Sequence, residues 1–211
     1  MSVKDRNGYE DLVKTIKSCT RCPLHASRKN AVPGEGPLDA EVMVVGEAPG
    51  RSEDEQGRPF VGAAGKLLDR LLGEAGLERG RVYITNIVKC RPPNNRDPKP
   101  EEIQACLPYL IEQIKTIRPK VIIAVGRIAG STLYKLAGLR WEGVRRERGR
   151  IVRARIGGVD VVIVPTYHPA AALYNPQLRG ELEEDFKGPV KRAVREAGRG
   201  RKPPTLEDFM E

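Results

Sequence analysis

No apolar run in this chain of 211 residues approaches the roughly 20 needed to cross a bilayer. The opening stretch MSVKDRNGYEDLVKTIKSC mixes charges of both signs and lacks a hydrophobic signal core, so a cytoplasmic protein is expected. Histidine is scarce, with two copies, and so is phenylalanine, with three. There is no G-K-[ST] phosphate loop and no G-x-G-x-x-G dinucleotide pattern, which removes the two commonest nucleotide-binding signatures. No internal repeat and no second domain are visible. A single domain over 1–196 with a basic, flexible tail over 197–211 is expected.

What is present points to a folded, basic protein. Hydrophobic residues make up 39% of the chain, enough for a core. Lys and Arg outnumber Asp and Glu by 37 to 28, a formal charge of +9. Such an excess suits an anionic partner, nucleic acid or a membrane surface, although a generally charged surface gives the same count. In a reducing compartment four cysteines suit ligands or catalysts better than structural disulfides. A hyperthermophile's cytosol, compatible with 31% charged residues, would still allow disulfides.

Short β-branched runs alternate with helical stripes. EVMVVG (41–46), RVYITNIVKC (81–90) and KVIIAVG (120–126) read as buried strands, and IVRARIGGVDVVIVP as two strands around Gly157–Gly158. Leu67, Leu68, Leu71 and Leu72 mark one helix; EEIQACLPYLIEQIKTIRP and RIAGSTLYKLAGL are two more. A last helix lies within GELEEDFKGPVKRAVREAG, where Gly188–Pro189 should interrupt it. The alternation predicts an α/β fold with a mainly parallel sheet. In such sheets ligands collect beyond the carboxyl ends of the strands. That nominates GEAPG (46–50), the residues around Asn86, the segment after Gly126, and PTYHPA (165–170).

The unusual residues sit in or near those loops. Glu47 would point a carboxylate into the crevice, to orient or activate water or to cap a helix. His168 is fixed between Pro165 and Pro169, as a site imidazole or a satisfied core residue. Asn86 lies in an apolar strand, where an amide needs partners. Phe60 is a core plug or a stacking platform. Cys19 and Cys22 form a C-x-x-C pair, while Cys90 and Cys106 bracket RPPNNRDPKP and its flanks. Four thiolates suit a tetrahedral zinc or an iron–sulfur cluster, and the wide second pair favours the cluster.

Taken in order, GEAPG, GRPFVGAAGKLLDRLL, VYITNIVKCRPPNNRDP and the late YHPAA resemble the uracil-DNA glycosylase superfamily, most closely its family 4, the thermostable iron–sulfur enzymes. The resemblance runs from Cys19 to about Pro176. It implies a three-layer α/β/α sandwich around a four-stranded parallel sheet. It also implies a [4Fe-4S] cluster on Cys19, Cys22, Cys90 and Cys106. The implied reaction is hydrolysis of the N-glycosidic bond of flipped-out deoxyuridine in single- or double-stranded DNA, as in base-excision repair.

By motif match Phe60 would stack on uracil and Asn86 would read N3–H and O4. Main-chain groups of Glu47 and Ala48 would line the pocket, and His168 would donate to O2. Other members carry an aspartate where this chain has Ala48, which shifts the water-positioning role to Glu47, assisted by Asn95. Glu53 would exclude the thymine methyl. Arg91, Arg96 and Lys99 would hold the DNA backbone. A related group forms a covalent adduct through a histidine that RPPNNRDPKP lacks, so a hydrolytic, nucleoid-associated monomer is expected. The tail residues Leu206, Phe209 and Met210 resemble a degenerate sliding-clamp motif.

Overall fold

The computed structural model describes residues 3–198. Leu206, Phe209 and Met210, and the clamp expectation with them, lie outside the described residues. The chain opens with α1 (Val3–Lys17), then β1 (Val42–Gly46), α2 (Arg51–Gln56), α3 (Ala63–Glu74) and β2 (Val82–Asn86). There follow α4 (Pro100–Ile117), β3 (Val121–Val125), α5 (Arg127–Leu136) and α6 (Val144–Glu147). The hairpin β4 (Val152–Ile156) and β5 (Val159–Thr166) leads into α7 (Pro169–Ala172), α8 (Pro176–Asp185) and α9 (Lys191–Gly198). Among the described residues no helix is long and apolar enough to cross a membrane.

The sheet has five strands in the order β2-β1-β3-β5-β4. The first four are mutually parallel, and β4 pairs antiparallel with β5. The four-stranded expectation is therefore corrected by one edge strand. β4 joins through the tight turn at Gly157 and Gly158, both at positive φ, which brings an adjacent strand back antiparallel. The opposite edge, β2, is bridged by the loop residue Glu35, which exchanges both backbone hydrogen bonds with Ile84.

Alternate residues of each central strand feed two cores, which is why the strands read as unbroken apolar runs. Met43, Val45, Tyr83 and Ile122 pack with Leu110 and Ile114 of α4, Leu133 of α5 and Ile16 of α1. Val44, Ile84, Ile123 and Val125 pack with all four leucines of the α3 stripe and with Leu182, Phe186 and Val190. The result is an α/β/α sandwich. Pro108 is accommodated within α4 because it faces solvent, where the carbonyl it leaves without an amide can bond water. Gly188–Pro189 does not break the last helix as expected. Residues Phe186–Val190 form a π turn joining α8 to α9, and the wider turn passes the missing proline amide. Gly46, Asn86 and Thr166 end their strands at the same edge of the sheet.

Candidate active site

A cavity of about 390 Å³ opens beyond the strand ends, within the roughly 300–1,000 Å³ of small-molecule sites. Glu47, Ala48, Glu53, Phe60, Asn86, Asn95, Arg96 and His168 border it together with Pro92 and Ala170. Eight residues nominated from sequence, scattered over 122 positions from Glu47 to His168, are thus brought to one place.

Phe60 and His168 form its flat walls, with ring centroids 5.7 Å apart and planes 25° from parallel. Phe60 holds φ of 50°, a left-handed conformation that phenylalanine adopts only under constraint. The constraint is Arg79. Its guanidinium donates to the carbonyls of Phe60 (3.1 Å) and Pro59 (2.7 Å), and is held by Asp69 and Glu35 at 2.8 Å. Sequence reading missed Arg79, because ERGR (78–81) looks like a charged connector. At the floor, Gly46 lies so close that an added Cβ would meet the Asn86 Oδ1 and stand 2.6 Å from the Phe60 ring.

Asn86 is 2% exposed, and its Oδ1 has no hydrogen-bond partner. A buried amide oxygen left this way costs on the order of 1–3 kcal/mol, so the site waits for a donor. The Nδ1 of His168 accepts from the Ala170 amide at 3.1 Å, which places the proton of the neutral ring on Nε2. Burial of the imidazole pushes its pKa down to about 4, against a weaker opposing pull from Glu53. Burial also raises the Glu47 carboxyl, Asp97 adds to the rise, and Arg127 opposes it.

Several nominated side chains are already engaged. Glu53 accepts from the amides of Val61 and Gly62 on Oε1, both at 2.9 Å, and of Gly50 on Oε2 at 3.1 Å. It clasps the GEAPG loop to the loop bearing Phe60. Asn95 Oδ1 accepts from Arg91 Nε at 2.7 Å. Arg96 forms a two-pronged pair with the buried Glu102 at 2.8 and 2.6 Å, and that pairing holds the Glu102 carboxyl below its usual range. Lys99 is exposed at the start of α4.

Cys19, Cys22, Cys90 and Cys106 border a second, narrow cavity with Arg21, His25, Arg28 and Lys89. All four are free thiols. Arg28 donates to Cys90 Sγ at 3.0 Å, and the Arg21 amide lies 3.4 Å from Cys19 Sγ. Burial pushes Cys90 up and Cys106 up to about 11, so neutral thiols are favoured there unless a bound cation compensates. Among the described residues no three His, Cys, Asp or Glu side chains close around one ion. The thiols instead ring a shared space lined by positive groups. Four sulfur donors, with N–H partners on Cys90 and Cys19, fit an iron–sulfur cluster.

The model of a known family, described as the uracil DNA glycosylase superfamily, matches residues 33–193. A type-4 uracil-DNA glycosylase of Pyrobaculum aerophilum is 56% identical over 84% of this chain and 90% of its own. One of Saccharolobus solfataricus is 53% identical over 92% of this chain and 88% of its own. A third, of Archaeoglobus fulgidus, is 48% identical over 95% and 98%.

Proposed function

The chain belongs to the uracil DNA glycosylase superfamily, in its type-4 branch, and from that premise we propose that it removes uracil from DNA by hydrolysing the N-glycosidic bond of a flipped-out deoxyuridine. The observation that carries the reading is the partnerless Oδ1 of Asn86 beside the Phe60 ring. A flat ring stacked on Phe60 that brings an N–H next to a carbonyl satisfies both ends of that amide. Uracil does so with N3–H and O4. Cytosine presents an acceptor and a donor in the reverse order and leaves buried groups unpaired.

The chemistry follows from the remaining walls. As the C1′–N1 bond breaks, its electron pair leaves with uracil and charge grows on O2. The neutral His168 donates its Nε2–H to that oxygen. A water joins C1′, and Glu47 takes its proton. Asn95, with its oxygen held by Arg91, offers only donors and orients rather than activates that water. The four cysteines would hold a [4Fe-4S] cluster, which supplies a rigid fastening for the loop between Cys90 and Cys106. Lys99 and Arg91 would meet phosphates, whereas Arg96 is largely committed to Glu102. Glu53 supports the pocket as a clasp and, as a cavity-lining residue, would also exclude a C5 methyl.

Incubation with single-stranded DNA containing one uracil, followed by alkali, tests the reading. Strand scission at that position is expected; intact DNA sinks the enzyme and leaves a DNA-binding protein of the same fold. A brown solution is expected for the cluster, a colourless one for zinc.

The pH profile separates the two titrating groups. A neutral His168 requires no rate loss from imidazole protonation until pH nears 4. Its folded pKa lies below the ordinary 6.5, so its contribution to stability is complete above 6.5 and lost as pH falls towards 4. The acid limb of kcat/KM is set instead by Glu47, with a midpoint above the ordinary 4.5. His168→Asn should slow release by roughly 10²–10³-fold and leave the limb where it was. A limb that moves with His168 would overturn the assignment.

A further inference from the structure

Lys89 has no part in the chemistry above, yet it is among the largest fully buried side chains, 1% exposed, and borders the thiol-lined cavity. Its Nζ donates to Thr85 Oγ1, the Asn86 carbonyl and Gln113 Oε1, each at 2.7 Å. Those are all the donors an ammonium has. None of the acceptors is a carboxylate. Cys90 and Cys106 border the same cavity as Lys89.

The Asn86–Ile87 peptide is consequently clamped at both polar atoms. Its carbonyl accepts from Lys89, and its N–H donates to the Gly46 carbonyl at 2.9 Å. Gln113 extends the clamp, since its Nε2 donates to the Pro33 carbonyl at 2.8 Å and to the Tyr83 hydroxyl at 3.0 Å. Gln113 lies on α4, seven residues beyond Cys106. One side chain therefore touches the strand end that carries the base-reading amide, the helix that carries a cysteine, and the cavity wall itself. Methionine would fill the same volume but supply no donor, and arginine would bring two donors too many.

We propose that Lys89 is a positioning residue that fixes Asn86 from behind the uracil pocket and, through Gln113 on α4 and its own place in the cysteine cavity wall, gives that cavity and the base-reading amide one support. This rests on the uracil reading. The wild-type protein is accordingly assayed first: if it neither releases uracil nor is inhibited by free uracil, that reading fails whatever Lys89 does.

With wild-type activity in hand, Lys89→Met is compared in two measurements. Inhibition by free uracil should weaken by about tenfold or more, the effect of a loosened hydrogen-bonding amide. The visible absorbance of the cluster should be lost to a chelator several times faster than in wild type, because the wall of the cysteine cavity has lost the side chain that ties it to the β2 end and α4. A residue that only stabilised the fold would lower the melting temperature and move neither readout in the folded protein. An unchanged value in either overturns the proposal. Should Lys89→Met not fold, Thr85→Val removes one acceptor and keeps the lysine. It should weaken uracil inhibition by about threefold, and wild-type inhibition there overturns the proposal equally.

Discussion

Gly46→Ala should reduce uracil release by about a hundredfold or more, because displacement of a positioned group by an ångström is enough for that loss. The new methyl has nowhere to go. It would meet Asn86 Oδ1 on one side and stand 2.6 and 2.8 Å from Phe60 Cζ and Cε2 on the other. Both contacts belong to the surfaces proposed to hold the base, so any relaxation moves the reading amide or the stacking ring. The strand itself has limited room to yield, since β1 lies between β2 and β3 and is hydrogen-bonded on both sides. Stability should fall by about 1–3 kcal/mol, the usual result of overpacking. Single-turnover rates on a uracil-containing strand, taken well below the melting temperature, separate the two effects. A rate within a few-fold of wild type would show that the base does not depend on that slot.

The second large effect is on the fold. Gly65→Ala should lower stability by about 3 kcal/mol or more, at the upper end of overpacking costs. An alanine Cβ at this place in the first turn of α3 would penetrate the Phe60 carbonyl group and lie 3.0 Å from its Cα. Backbone, unlike the tip of a side chain, has no rotamer to change. α3 would have to draw back from the loop, disturbing Arg79's grip on the Phe60 and Pro59 carbonyls. Urea unfolding followed by circular dichroism should show a lower midpoint with an unchanged slope. A midpoint equal to wild type would mean that the helix and loop are not in the contact described.

Those parts of the molecule that depend on period and residue type are legible in the sequence itself. β1 and β3 show as short β-branched runs, α3 as four leucines at helical spacing, and the cavity as Asn86 in its strand, His168 just past the last strand and Phe60 in a loop. What escapes depends on partners distant in sequence. Lys89 reads as a charge at the end of a strand; its burial requires Thr85 and Gln113 in place around it. Arg96 reads as a free cation until Glu102, six residues on, is found paired with it. Glu53 reads as a carboxylate facing substrate, whereas its oxygens collect backbone amides from two loops. Gly46 gives no signal beyond ending a strand, since nothing local foretells that a ring and an amide will close on it. The π turn escapes for another reason: Gly188–Pro189 is a strong local stop, overridden because Phe186 and Val190 on either side are fully buried.

The two margins of the sheet bear on how the molecule survives crowding and heat. An open margin is a row of unsatisfied amides on which a neighbouring molecule can build. Here one margin is occupied at its middle by the Glu35 bridge to Ile84. The other is a five-residue strand whose outward positions are Arg153 and Arg155, a charged fringe that disfavours stacking of like copies. The central strands most suited to cross-molecular pairing, β1 and β3, are interior. Self-association through those central strands therefore requires the hairpin or the Glu35 loop to detach first, which ties that route to local opening rather than to global melting.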